Sequence, residues 1–161
     1  MNKDQKVGEA VGKLRNFIIE PFIAHKPEEE MYVCIYSNRY NDTILFYPEG
    51  GVDIGDVDSK AFKLEIPVGQ PLDVSEMENV LLAHISANKR PAVAKFIDAL
   101  YTLYVDFYFT YLEINPLVVT DTEIYILDLA AKLDSTAEFL CKPQWGEIEY
   151  PPPFGRDAYP G

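Results

Sequence analysis

The sequence is short of sulfur, of histidine and above all of positive charge. Its two cysteines, Cys34 and Cys141, form no CxxC pair and are too few for a disulfide framework. Cys34, inside "MYVCIYS", reads as a small buried hydrophobe. The two histidines, His25 and His84, have no paired metal-ligand spacing and read as surface or satisfied side chains. Lys and Arg number 14 against 26 Asp and Glu, a formal charge of −12. That balance argues against duplex binding, because neutralising phosphates takes clustered cations. No run of 18 apolar residues exists, and "MNKDQKVGEAVGK" at the N-terminus has no apolar signal core. The expectation is a cytosolic (cytoplasmic) protein with no nucleic-acid and no membrane partner. Two tempting motifs fail. "GEAVGKL" (8–14) has three residues between its glycines and Leu14 where a P-loop needs Ser or Thr. "EGGVDIGDVD" (49–58) has acids but neither the spacing nor the final Glu of an EF-hand, so Gly50 and Gly51 read as turn glycines with positive φ.

What is present is a globular composition, 48% hydrophobic and 13% aromatic over 161 residues, enough for one core. Residues 1–13 are polar and read as a flexible start. "RNFIIEPFI" (15–23) reads as a strand broken by Pro21, and "HKPEEE" (25–30) as a loop. "MYVCIYS" (31–37) and "TILFYP" (43–48) read as a hairpin around "NRYND", with "AFKLEIP" (61–67) a further strand. Ser75 and Glu78 make a capping box for a short helix to about His84. From Pro91, apolar Val93, Phe96, Ile97, Leu100, Leu103 and Phe107 recur at helical spacing. A hairpin over 111–129 follows, then a short helix near 135–141. Residues 149–161, rich in proline, read as a tail or linker. The fold class is α+β with a largely antiparallel sheet and packed helices.

Within "EINPLVVTDTEIYILD" (113–128), Glu113, Asn115 and Asp128 do not suit a buried strand. A turn centred between Asp121 and Thr122 pairs Val119 with Ile124, Leu117 with Ile126 and Asn115 with Asp128. Directly opposed residues share a face, with Cβ atoms roughly 4.5–5.5 Å apart. Strict alternation puts Glu113, Leu117 and Val119 on that face too, and Leu112, Ile114 and Val118 on the other. An amide and carboxylates at the end of a covered sheet suit a hard cation such as Mg²⁺, which takes one or two carboxylates plus phosphates and waters. The alternative is that Asn115 and Asp128 hydrogen-bond each other, or cap a loop at "DLAAKLD". In "IIEPFI", the Pro21 carbonyl and the Ile23 N–H offer an acceptor and a donor spaced like the Watson–Crick edge of adenine. The alternative there is an edge strand with a proline bend.

"YLEINPLVVT" followed by "LDLAAKLD" resembles the metal-binding hairpin of the ATP-grasp superfamily, in its acid–CoA ligase branch. "NFIIEPFIAH", "EEMYVCIYS", "EGGVDIGDVDSKA" and "PPPFGRDAYP" extend the likeness from about Val7 to Pro160, and resemble the animal-type ATP-citrate lyase family. Succinyl-CoA synthetase β subunits, sharing "EINP", are the alternative, as is a domain that serves assembly without catalysis. The resemblance implies the later part of an ATP-grasp domain over residues 14–148. It implies Mg²⁺ ligands at Asn115 and Asp128, with Glu113 a third ligand or a supporting group. It implies adenine contacts from the backbone of Pro21 and Ile23, with Glu30 for the ribose hydroxyls; the bland reading of "EEE" (28–30) is a solvated loop. Apolar walls for the base would come from Ile19 and Leu127. ATP is the implied cofactor with Mg²⁺, and citrate and CoA are partners through the rest of the enzyme, whose products are acetyl-CoA, oxaloacetate, ADP and phosphate. The full-length family member is expected to be a homotetramer. No catalytic residue is expected in the chain itself. The phospho-histidine and the phosphate-binding Lys and Arg match nothing in it, so an excised fragment without turnover of its own is the expectation.

Overall fold

The computed structural model describes residues 3–14, 17–51, 57–148, 152 and 154–156. The chain divides into two compact units, one of Ile23–Trp145 and one joining Met1–Phe22 to Gly146–Gly161. In the second unit, β1 (Gln5–Val7) and β2 (Ala10–Gly12) pair antiparallel. Gly8 turns the chain between them at φ +58, a conformation that costs glycine nothing. The sequence reading had no hairpin here. The expected strand at 15–23 is corrected: residues 17–23 carry no strand, and Phe17, Ile18, Ile19 and Phe22 stay exposed. Apolar residues hold a strand only where a ladder pairs them, and Pro21 lacks the N–H to join one.

The larger unit is a six-stranded antiparallel sheet under two helices. Its strands are β3 (Glu30–Ser37), β4 (Asn41–Tyr47), β5 (Phe62–Pro67), β6 (Phe109–Val119), β7 (Ile124–Ile126) and β8 (Leu129–Leu133). The order is β5-β4-β3-β6-β7, with β8 also on β6. The 11-residue β6 is central: β3 lines one edge, and β7 and β8 share the other. "LAAKL", read as loop, becomes β8 although alanine and lysine favour strands little, because an unfilled edge of β6 pairs it.

Helix α1 (Val74–Leu81) is capped by Asp73, whose side chain accepts from Glu76 N–H at 3.1 Å. The cap lies two residues before Ser75, so the expected cap is corrected; aspartate followed by glutamate three residues on is a helix-start signal of the same kind. Helix α2 (Arg90–Asp106) starts at the expected proline and buries Val93, Ala94, Ile97, Leu100, Tyr101 and Tyr104. Leu103, expected inside, is 40% exposed. The tyrosines take the inner stripe because their hydroxyls have partners. Tyr101 donates to Asp42 Oδ2 at 3.0 Å, and Tyr104 meets Ser37 Oγ at 2.6 Å. Ser37 also donates to Asp42 Oδ1 at 2.6 Å, so this buried carboxylate is satisfied on both oxygens. Burial lifts the Tyr104 phenol to about 12. Lys89 Nζ donates to the Val119 carbonyl at 2.6 Å and ties the start of α2 to β6. Trp145, in α3 (Glu138–Trp145), donates Nε1–H to the Phe107 carbonyl at 3.1 Å just past the end of α2.

The helices cover one face of the sheet. Met31, Val33, Ile35, Ile44, Phe46, Leu64, Ile66, Leu112 and Ile114 point into that core. So do Leu117 and Val119, which corrects the strict alternation read from sequence. Val33 pairs Ile114 but Met31 pairs Leu117, so β6 carries one extra residue between them. This β-bulge at Asn115 and Pro116, whose peptide is cis, shifts the parity of the strand.

Candidate functional site

The opposite face of the sheet is polar where β3 and β6 run side by side. Tyr32 and Cys34 on β3, and Tyr111 and Glu113 on β6, project there beside Leu45 and Val57. Glu113 Oε2 accepts from Tyr111 Oη at 2.5 Å, while Tyr32 Oη donates to Asp58 Oδ1 and lies 3.5 Å from Glu113 Oε2. Burial, and then the carboxylate partner, raises both phenols well above the ordinary tyrosine range. Burial likewise pushes the Cys34 thiol up to about 11, so it is no nucleophile at neutral pH. Lys132 lies over the Tyr111 ring, 5.2 Å from its centre.

The bulge places Asn115 between this network and the loop after β4. Asn115 Oδ1 accepts the Gly51 N–H at 2.8 Å. Gly51 sits at φ +98, and a Cβ there would lie 2.2 Å from Glu30 Oε2. Gly50 is pressed to β3: a Cβ on it would lie 2.4 Å from the Met31 carbonyl oxygen. Both positions therefore need glycine, Gly51 for its backbone as expected and Gly50 for close approach. Glu30 Oε1 is 3.0 Å from His25 Nε2, and His25 Nδ1 is 2.8 Å from the Ile23 carbonyl. His25, read as isolated, is thus the partner of Glu30.

Asp128 stands opposite Asn115. The Asn115 N–H donates to the Asp128 carbonyl at 3.2 Å, and the Leu127 N–H to the Pro116 carbonyl at 3.2 Å. The expected register holds throughout: Leu117 pairs Ile126, Val119 pairs Ile124, and Thr120 N–H meets the Glu123 carbonyl at 3.0 Å. The pair is not at an outer rim, which is a correction. It lies midway along β6, at the gap between β7 and β8, because β8 continues the ladder. Asp128 is exposed and its carboxylate has no hydrogen bond among the described residues.

The structure therefore joins Glu30 to Asn115 through Gly51, and Asn115 to Asp128 through the backbone. Glu113 turns its carboxylate to phenols. Among the described residues, no three of His, Cys, Asp or Glu gather as a metal site. Pro21 and Ile19 belong to the smaller unit and Ile23 to the larger. The sequence reading missed Tyr32, Tyr111, Asp58 and the His25 contact. Tyr111 and Glu113, two apart on one strand, carried a usable signal; Asp58, 26 residues from Tyr32, carried none.

A family model described as the ATP-citrate synthase ATP-grasp domain matches residues 1–145. The chain is 54% identical over 160 residues to ATP-citrate synthase of Bos taurus and to that of Homo sapiens, covering 99% of this chain and 15% and 14% of those proteins. It is 48% identical over 159 residues to the probable ATP-citrate synthase subunit 2 of Schizosaccharomyces pombe, covering 95% of this chain and 32% of that one. A solved ATP citrate lyase from Methanothrix soehngenii, in complex with citrate and coenzyme A, superposes with a TM-score of 0.83 at 36% identity, over 99% of this chain and 37% of that chain.

Proposed function

The chain belongs to the ATP-citrate synthase family through its ATP-grasp domain, and from that membership we propose that it supplies the metal and nucleoside part of a Mg²⁺–ATP site. The reaction served is cleavage of citrate, with CoA and ATP, to acetyl-CoA, oxaloacetate, ADP and phosphate, through a phospho-histidine outside these residues. A cytosolic enzyme that assembles as a homotetramer belongs to the same reading.

Asn115 and Asp128 hold the metal in this reading, and Glu113 backs the site from its two phenols. The donor chemistry fits. A hard cation wants oxygens, and here an amide oxygen stands across the strands from an exposed carboxylate with no hydrogen bond among the described residues. Asn115 Oδ1, fixed by the Gly51 N–H, keeps a second lone pair for a ligand. Bound there, the ion supplies charge neutralisation for the phosphates, which an acidic chain needs. Ile23 N–H and the Pro21 carbonyl read the adenine edge, and Glu30 accepts from the ribose hydroxyls. The observation that carries the reading is the Asn115–Asp128 backbone pairing, because it brings one amide and one acid to the same rung.

Asp128→Ala in the full-length enzyme tests it. Mg²⁺-dependent ADP affinity should fall by about tenfold or more, the scale of 1.4 kcal/mol. The circular-dichroism melt should not move, since an exposed side chain is removed. Unchanged Mg²⁺ dependence, with intact assembly, would instead favour a domain kept for assembly alone.

A further inference from the structure

We propose that His25 is a positioning residue for nucleotide selection: its imidazole bridges the Ile23 carbonyl and the Glu30 carboxylate, and holds that acid for the sugar hydroxyls of a nucleoside phosphate. The inference rests on the reading of Glu30 as the ribose acid and deepens it.

Glu30 opens β3 directly after a single 3-10 turn, Pro27–Glu29. A glutamate at such a place ordinarily keeps its rotamer freedom, and ordering it costs binding energy. Here it is confined from two sides. His25 Nε2 holds Oε1 at 3.0 Å, and Oε2 rests against Gly51, where no side chain intrudes. The pair is partly sheltered, with side chains 15% and 22% exposed. The hydrogen bonds also fix the ring. A carbonyl only accepts, so Nδ1 must carry a hydrogen toward Ile23. An ionised carboxylate only accepts, so Nε2 carries one as well. His25 is then an imidazolium, and it offsets the charge of Glu30 next to a polyanionic ligand. The same ring also bonds the carbonyl of Ile23, the residue whose N–H is assigned to the base.

The test compares ADP with 2′,3′-dideoxyADP, which lacks both hydroxyls, in the full-length enzyme with Mg²⁺. Wild type should prefer ADP by about tenfold or more, as a site built around a sugar hydroxyl does. His25→Ala should cut that preference to about threefold or less, chiefly by weakening ADP. An unaltered preference in His25→Ala overturns the role of His25 and leaves the ribose assignment of Glu30 standing. Equal binding of both nucleotides by wild type overturns the ribose assignment, and this inference with it. Should the variant not fold, imidazole ¹⁵N shifts of the wild type at pH 7 decide: both nitrogens protonated supports the bridge, and a neutral ring overturns it.

Discussion

The two faces of one sheet are built by different rules. On β3, Met31, Val33 and Ile35 face the helices, while Tyr32 and Cys34 face away; on β6, Leu112 and Ile114 face the helices, while Tyr111 and Glu113 face away. The helix side is mostly aliphatic and aromatic, with directed partners at the Tyr101 and Tyr104 hydroxyls, so close packing of apolar area dominates there. The other side buries Tyr32 fully and Tyr111 and Glu113 in part, and each polar group must find a partner: Tyr111 donates to Glu113, and Tyr32 to Asp58. Stability is thus concentrated on one face, and adjustable polar chemistry on the other. Because the faces alternate along one strand, neighbouring substitutions can separate them.

Leu112→Ala is the sharpest break. Leu112 is 1% exposed, and its truncation should cost about 3–4 kcal/mol, lowering the melting temperature by roughly 10 °C. Glu113→Gln, one residue along, keeps an acceptor for the phenols and should cost less than about 1 kcal/mol. Equal losses in thermal melts of the two variants would mean that the faces are not divided as described.

The glycines of the loop sharpen the contrast where it leaves the sheet. A Cβ at Gly50 would meet Met31 backbone atoms at 2.4, 2.7 and 2.8 Å, and strand backbone cannot move aside cheaply. Gly50→Ala should therefore cost about 2–3 kcal/mol and loosen β3 itself. A Cβ at Gly51 would meet only the end of the Glu30 side chain, at 2.2 Å, with φ at +98. Gly51→Ala should cost about 1–2 kcal/mol, from the backbone conformation, and displace Glu30 from His25. Urea melts of both variants check the order; the reverse order would assign the loop's rigidity to the wrong glycine.

Tyr111→Phe removes the 2.5 Å bond to Glu113 while keeping the ring under Lys132. A loss of about 1 kcal/mol in melting is expected, the scale of one hydrogen bond to a partly exposed carboxylate. A loss near that of Leu112→Ala would show that the polar face carries the fold as well.

Much of this division could be read in the sequence, and its limits are physical. The strands at 31–37, 43–48 and 61–67 announced themselves as short runs of strand formers bounded by turn residues, and the long helix after Pro91 by its apolar period. The hairpin register that sets Asn115 against Asp128 followed from turn symmetry alone and holds in the structure. The position of that pair did not follow, because β8 is Ala-Ala-Lys in its middle and only the free edge of β6 makes it a strand. Nor did the side-chain parity of Leu117 and Val119, because a bulge adds a residue that no alternation pattern announces. Tyr32 escaped because it lies 81 residues from Glu113.

The smallest expected effect tests whether the polar face extends to His25. The Ile23 carbonyl and then the Glu30 carboxylate raise the imidazole above its ordinary 6.5, with the charge of Glu29 adding to them. A raised value means that the folded state binds the proton more tightly than the unfolded one. The stabilisation is then fully present below pH 6.5 and is lost as pH rises through the higher folded value. The melting-temperature difference between wild type and His25→Gln should be largest near pH 6 and shrink steadily toward pH 9. Added salt should reduce it, because the pair is only partly sheltered. A difference that stays constant, or grows with pH, would mean that His25 is neutral in the fold and that Glu30 is held by something else.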